Sequence, residues 1–195
     1  MTSKGLWYPF TSASGQKPHQ IIKGKDNYVF DYLGNKLLDA TAGGVACVIL
    51  GHGRTEIAEA IKGQLDELEY YCLFGYSHPL AEEFSRKIAD RTPGDLNHVF
   101  FTNSGSEAVE TALKVARAFW YRSNQAQKTK FISLHNGYHG MNFGGISIGG
   151  LTENRTAFGP LLSGCSQVPA HDVIALQEEI EFQNPETIAA VIMEP

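Results

Sequence analysis

Along residues 54–71 the apolar positions Ile57, Ala60, Ile61, Leu65 and Leu68 recur every three or four residues, the spacing of an amphipathic helix. A second helical run covers 80–91 and is closed by Pro93-Gly94. Upstream, 27–32 and 36–39 are strand-like runs around Leu33-Gly34-Asn35, the signature of a β-hairpin. Residues 1–20 are irregular, with Pro9, Gly15 and Pro18 breaking any helical period. From 98 onward the pattern alternates: 98–102 is strand-like, 104–123 helical, 130–134 strand-like, 171–184 helical after a glycine-rich loop, and 188–193 strand-like. Such alternation predicts an α/β domain with a mostly parallel sheet. Ala189-Ala190-Val191-Ile192-Met193 is continuously apolar, as in a strand covered on both faces. With the sequence ending at Pro195, that sheet is expected to be unfinished and the chain to be a fragment.

Composition narrows the function classes. The 195 residues are 43% hydrophobic and 19% charged, an ordinary globular balance for one sizeable core. A net charge of -5, with no basic stripe, argues against nucleic acid as a partner. Cys47, Cys72 and Cys165 are far apart and odd in number, so neither a disulfide framework nor a CxxC metal site is expected, and a reduced cytoplasmic setting is. His52, His78, His98 and His171 have no metal-ligand spacing. The amino terminus lacks the long apolar stretch of a secretory signal, and runs such as 45–50 are too short to span a bilayer.

The segment 99–117 carries the most chemistry. A strand-like run leads into Asn103-Ser104-Gly105-Ser106, where a helix begins. Ser104 and Glu107 form a capping box, and Val109, Ala112, Leu113, Ala116, Phe119 and Trp120 form the buried stripe, with Glu110 and Lys114 paired on another face. Free amides at a helix start, the dipole and the small Gly105 suit a phosphate, to which the Ser106 hydroxyl can add a donor. A capped helix that binds nothing satisfies the same pattern, so the segment alone leaves both readings open.

Residues 102–117, TNSGSEAVETALKVAR, followed by HNGYHG at 135–140, resemble the class III (omega-amino acid) aminotransferases, which are fold-type I pyridoxal-phosphate enzymes. The similarity extends to residues 7–11, 39–44, 51–53 and 77–79; Phe158-Gly-Pro-Leu-Leu162 and Pro169-Ala-His-Asp172 are similar to the omega-amino acid:pyruvate and β-alanine:pyruvate branch. The resemblance implies a large domain with a mostly parallel sheet plus part of a small α+β domain. Residues 1–55 would contribute to the small domain and substrate entrance, and 56–195 would be the first part of the large, cofactor-binding domain. It also implies a homodimer, with a small-molecule amine donor and a keto acid as substrates.

For pyridoxal 5'-phosphate the resemblance assigns Ser104, Gly105 and Ser106 to the phosphate, Tyr138 to stacking on the pyridine ring, and His139 and Glu194 to positions beside the cofactor. A flat aromatic face suits an electron-poor ring, although a glycine-bounded turn around a packed tyrosine fits Gly137–Gly140 equally. Phe10 and Trp7 are implied to line the substrate entrance. Ala46 stands where many members have tryptophan, so a pocket enlarged toward a bulkier donor is expected. The Schiff-base lysine is implied to lie beyond Pro195, and no lysine in this chain matches its motif. Two rivals remain: a glutamate-semialdehyde-type aminomutase of the same fold, and an inactive fragment that binds only phosphate or a partner chain.

Overall fold

The computed structural model describes residues 5–9 and 18–194. The chain forms two compact units, Met1–Glu82 and Glu83–Pro195.

In the first unit, strands β1 (Ile21–Lys25), β2 (Tyr28–Asp31) and β3 (Lys36–Leu38) form an antiparallel meander in the order β1-β2-β3. The expected hairpin is β2-β3, and β1, which the hydrophobic pattern did not single out, adds a third strand. Its turn is held by the buried Asp31 carboxylate, which accepts from the Leu33 and Asn35 amides at 2.9 and 2.8 Å and from the Asn35 side chain at 2.8 Å. Helix α1 (Thr55–Glu67) follows within the predicted 54–71 span. Helix α2 (Pro79–Ala89) starts at Pro79, whose fixed φ suits a first helical turn.

The second unit is the α/β part. Strands β4 (Lys130–Leu134), β5 (Cys165–Val168) and β6 (Ile188–Val191) form a parallel sheet in the order β5-β4-β6. Helices α3 (Gly105–Arg122), α4 (Phe143–Ile148) and α5 (Val173–Gln183) complete it. Leu113 of α3, Phe131 of β4, Ile148 of α4 and Ala189 of β6 make the buried cluster, joined by Val109, Ala116 and Trp120. Each such large apolar side chain removed from water contributes about 1.5–3 kcal/mol. The Trp120 indole N–H donates to the Ala189 carbonyl at 2.7 Å, tying helix to strand.

Three expectations are corrected here. Residues 98–102 form no strand and pair with no described strand; Phe100 is 78% exposed, and Phe101 instead stacks on Phe84 at 5.6 Å. Apolar, β-prone residues favour a strand, but a strand also needs a neighbour's hydrogen bonds. The buried stripe of α3 is narrower than expected, since Ala112 and Phe119 are exposed. Glu110 does not pair with Lys114 among the described residues; its carboxylate accepts the Gly145 amide at 3.0 Å, a charge-assisted bond that holds α4 to α3.

Candidate cofactor site

The start of α3 carries the Ser104 cap, while Glu107 reaches one residue further back than a capping box requires. The Ser104 Oγ accepts the Glu107 amide at 3.2 Å, and the Glu107 carboxylate accepts the Asn103 amide at 2.9 Å. These bonds leave the Gly105 and Ser106 amides without an acceptor among the described residues. A Cβ placed on Gly105 would find nothing within 4 Å, and its φ is not left-handed, so neither packing nor backbone geometry explains a glycine there. That open space over two free amides fits an oxyanion.

The loop after β4 closes on this helix start. The Ser106 Oγ accepts the Met141 amide at 3.1 Å, which leaves the hydroxyl proton free to be donated outward. Gly140, at φ +94°, brings the backbone so close that a Cβ would lie 2.6 Å from Ser106 Oγ and 2.8 Å from Ser106 Cα. Only glycine permits both that conformation and that approach.

Tyr138 is half exposed, at 50%. Its amide donates to Glu194 Oε1 over a long 3.4 Å, which links this loop to the segment just after β6. His139 is buried. It is 6% exposed, and its Nε2 has no hydrogen-bond partner. Burial holds its pKa below the ordinary value of 6.5, with Glu194 pulling weakly in the opposite direction. The imidazole is therefore neutral and packed inside the loop that carries Tyr138. Ser104, Gly105, Ser106, Tyr138, His139 and Glu194 thus all lie within the second unit, and the observed bonds link Ser106 and Glu194 to the same loop.

The expected substrate residues lie in the first unit or outside the described residues. Phe10 lies outside them. Trp7 is 72% exposed. Ala46 is exposed and ends the irregular loop Ala42–Ala46, in which Ala42 (φ 49°), Gly43 (φ 86°), Gly44 (φ 95°) and Ala46 (φ 57°) are all left-handed. An alanine in this region costs about 1–3 kcal/mol and persists only where its surroundings enforce it. The loop is closed by the Ala46 amide, which donates to the Thr41 carbonyl at 2.9 Å, and by the Val48 amide, which donates to the Ala42 carbonyl at 2.8 Å, while the Asp39 carboxylate accepts from Thr41 and Gly43. No cluster that could hold a metal ion is present among the described residues, and no described helix is long and apolar enough to cross a membrane.

Compared with known proteins, residues 11–195 match the family model for aminotransferase class III. The chain belongs to the class III aminotransferases. It is 40% identical to the omega-amino acid–pyruvate aminotransferase of Pseudomonas putida and 39% identical to the β-alanine–pyruvate aminotransferase of Pseudomonas aeruginosa. Each alignment covers 97% of this chain and 46% of the relative. The amine transaminase of an uncultivated Pseudomonas species, solved with PLP bound, superposes with a TM-score of 0.88 at 37% identity, covering 98% of this chain and 48% of that one. A transaminase from the marine bacterium Virgibacillus gives 0.94 at 33% identity, covering 98% and 46%. The chain therefore spans about half the length of the relatives it matches, and its fold is that of the fold-type I, PLP-dependent transaminases.

Within this candidate site, sequence reasoning missed the contacts made by Met141, Gly140 and Glu110. Their signals were present in weak form: a second glycine closing Tyr138-His139, and a carboxylate one turn beyond Glu107. It also missed Asp39 and His52 as a pair. Thirteen residues separate them, and no local pattern joins them.

Proposed function

We propose that the intact protein transfers an amino group from an omega-amino acid or amine donor to a keto acid, with pyruvate as the acceptor. Pyridoxal phosphate, when bound, supplies an electron sink that stabilises the carbanion left by proton loss and carries the amino group between substrates. The observation that carries the reading is the open space over Gly105, bordered by two free amides and the Ser106 hydroxyl, in the same unit as a half-exposed Tyr138 ring.

In this reading Gly105, Ser106 and the Ser104 cap hold the phosphate, and Tyr138 offers its flat face to the pyridine ring. Glu194 keeps the ring platform in place through the Tyr138 amide and lends a negative charge beside it. His139, neutral and buried, sets the loop rather than exchanging protons. Trp7 and Phe10 line the substrate entrance, and the methyl of Ala46 leaves room for a donor bulkier than β-alanine. Residues 1–55 contribute to a small domain and 56–195 to the cofactor domain. The working form is a homodimer in the cytoplasm.

The names of the similar Pseudomonas enzymes support pyruvate as the acceptor. To test the reading, the intact protein is loaded with pyridoxal phosphate and given an amine donor with pyruvate, and alanine is measured. Alanine formation is expected. An amino group that only migrates within glutamate semialdehyde would replace this reading with the aminomutase, and cofactor uptake without turnover on any amine would leave a binding protein.

A further inference from the structure

Two side chains of α3, one turn apart, hold the segment that follows β4. Ser106 Oγ accepts the Met141 amide at 3.1 Å, and Glu110 Oε1 accepts the Gly145 amide at 3.0 Å. The two acceptors are four residues apart and so are the two donors, so helix and segment meet in register. Glu110 packs as well as bonds. A Cβ at Gly144 would lie 2.5 Å from its Oε1 and 2.8 Å from its Oε2, so the carboxylate rests on bare backbone. Helix α4 depends on this contact. Its N-cap, Asn142, makes no side-chain capping bond, and Gly144 and Gly145 are buried, so an amide of the first turn takes its acceptor from another helix. Only Asn142 separates Met141 from α4, and the Asn142 carbonyl accepts the Ile146 amide at 2.8 Å. A shift of the first turn of α4 therefore carries Met141 with it.

We propose that Glu110 is a positioning residue for the phosphate cradle: by fixing the first turn of α4 it keeps the Met141 amide on Ser106, and so keeps the Ser106 hydroxyl proton directed at the phosphate. The proposal rests on the reading of Gly105 and Ser106 as a phosphate site. A serine hydroxyl has one proton to donate and two lone pairs. With the Met141 amide on a lone pair, the rotation of that hydroxyl is restricted and its proton points away from the segment. Without the amide, the hydroxyl is free to turn back onto a nearby backbone carbonyl, as serines in helices do. The bond from Gly145 to a charged oxygen is the contact that opposes this slippage. Among the described residues Glu110 Oε2 accepts no hydrogen bond, so one oxygen at this reach is what the segment requires. A glutamine carbonyl can supply it.

The test titrates the intact apo protein with pyridoxamine phosphate and with unphosphorylated pyridoxamine, and reads the ratio of the two dissociation constants. Glu110→Met keeps the length of the side chain and loses the acceptor. It should lower the preference for the phosphate ester by about tenfold, as loss of one hydrogen bond to a charged group implies. Glu110→Gln, which keeps a carbonyl for Gly145, should stay within about threefold of the wild type. In a Ser106→Ala background, Glu110→Met should change the preference by less than about twofold, because the group it acts through is gone. An undiminished preference in Glu110→Met overturns the proposal. So does an equal loss of affinity for both compounds, which marks a merely structural residue, and so does an effect that persists in full without the Ser106 hydroxyl. Where Glu110→Met does not fold, Glu110→Asp, whose carboxylate ends one methylene short of Gly145, is read by the same criteria. A wild-type protein that binds both compounds equally refutes the phosphate site itself, and the proposal with it.

Discussion

Replacing Gly105 with alanine separates the two reasons a glycine can stand at a helix start. Inside the protein the added methyl meets nothing within 4 Å, and the backbone there is ordinary helix. Folding should therefore be unaffected or slightly favoured, since alanine exceeds glycine by up to about 1 kcal/mol in a helix and by less at its first position. A phosphate oxygen received by the Gly105 and Ser106 amides would lie about 2.9 Å from each nitrogen, in the space the methyl would enter. Losing or lengthening one charge-assisted bond costs about 1.5–3 kcal/mol, or roughly 10- to 150-fold in Kd. The assay is a thermal melt of the apo intact protein, followed by titration with pyridoxamine phosphate and with unphosphorylated pyridoxamine. The phosphate ester should lose affinity while the melt and the pyridoxamine curve stay in place. Equal affinity of variant and wild type for the ester would refute the argument, because the methyl would then obstruct nothing.

Other perturbations probe the surrounding structure. Gly140→Ala combines a left-handed φ with a contact against Ser106, so it should destabilise the protein by about 2–5 kcal/mol and weaken cofactor binding as well; a melt within a degree of wild type would contradict it. Trp120→Phe removes the donor to the nearly buried Ala189 carbonyl and should cost about 1–3 kcal/mol in urea unfolding; an unchanged midpoint would show that the bond contributes nothing. Because the folded-state pKa of His139 is lowered, the unfolded chain takes up that proton first. Stability from this group is then full above pH 6.5 and declines as the pH falls through 6.5 toward the folded value. The component should vanish from the pH profile of His139→Gln, and a profile that falls equally in both proteins would contradict it.

The elements that were legible in the sequence are those whose determinants are local. Ser104 accepts the Glu107 amide and Glu107 accepts the Asn103 amide within five residues of chain, so the start of α3 could be read directly, as could most of the alternating strands and helices around it. Strand β5, Cys-Ser-Gln-Val, carries too few apolar residues to stand out, and it forms because β4 offers it a parallel partner from Phe131 to Leu134. Helix α4, Phe-Gly-Gly-Ile-Ser-Ile, reads as a loop. Its glycines are required by packing, since a Cβ at Gly144 would lie 2.5 Å from the Glu110 carboxylate and one at Gly145 would lie 2.4 Å from the His139 carbonyl. Close approach between distant segments leaves no periodic trace. The Asp39–His52 pair was hidden for the same reason.

The arrangement of the candidate cofactor residues follows from the parallel sheet itself. Strands that run in one direction deliver the residues after each of them to one edge, which is where α/β sheets bind ligands. Tyr138 follows β4 and Glu194 follows β6, so two residues 56 apart meet at a backbone amide, and Met141 reaches Ser106 across 35 residues. None of these side chains belongs to the buried cluster of Leu113, Phe131, Ile148 and Ala189. Stability and chemistry are thus carried by different residues of the same short segments: the strand supplies the core, and the loop that leaves it supplies the site. The glycines mark the seam between the two, with Gly140 fixed by contact inside the protein and Gly105 bordering open space.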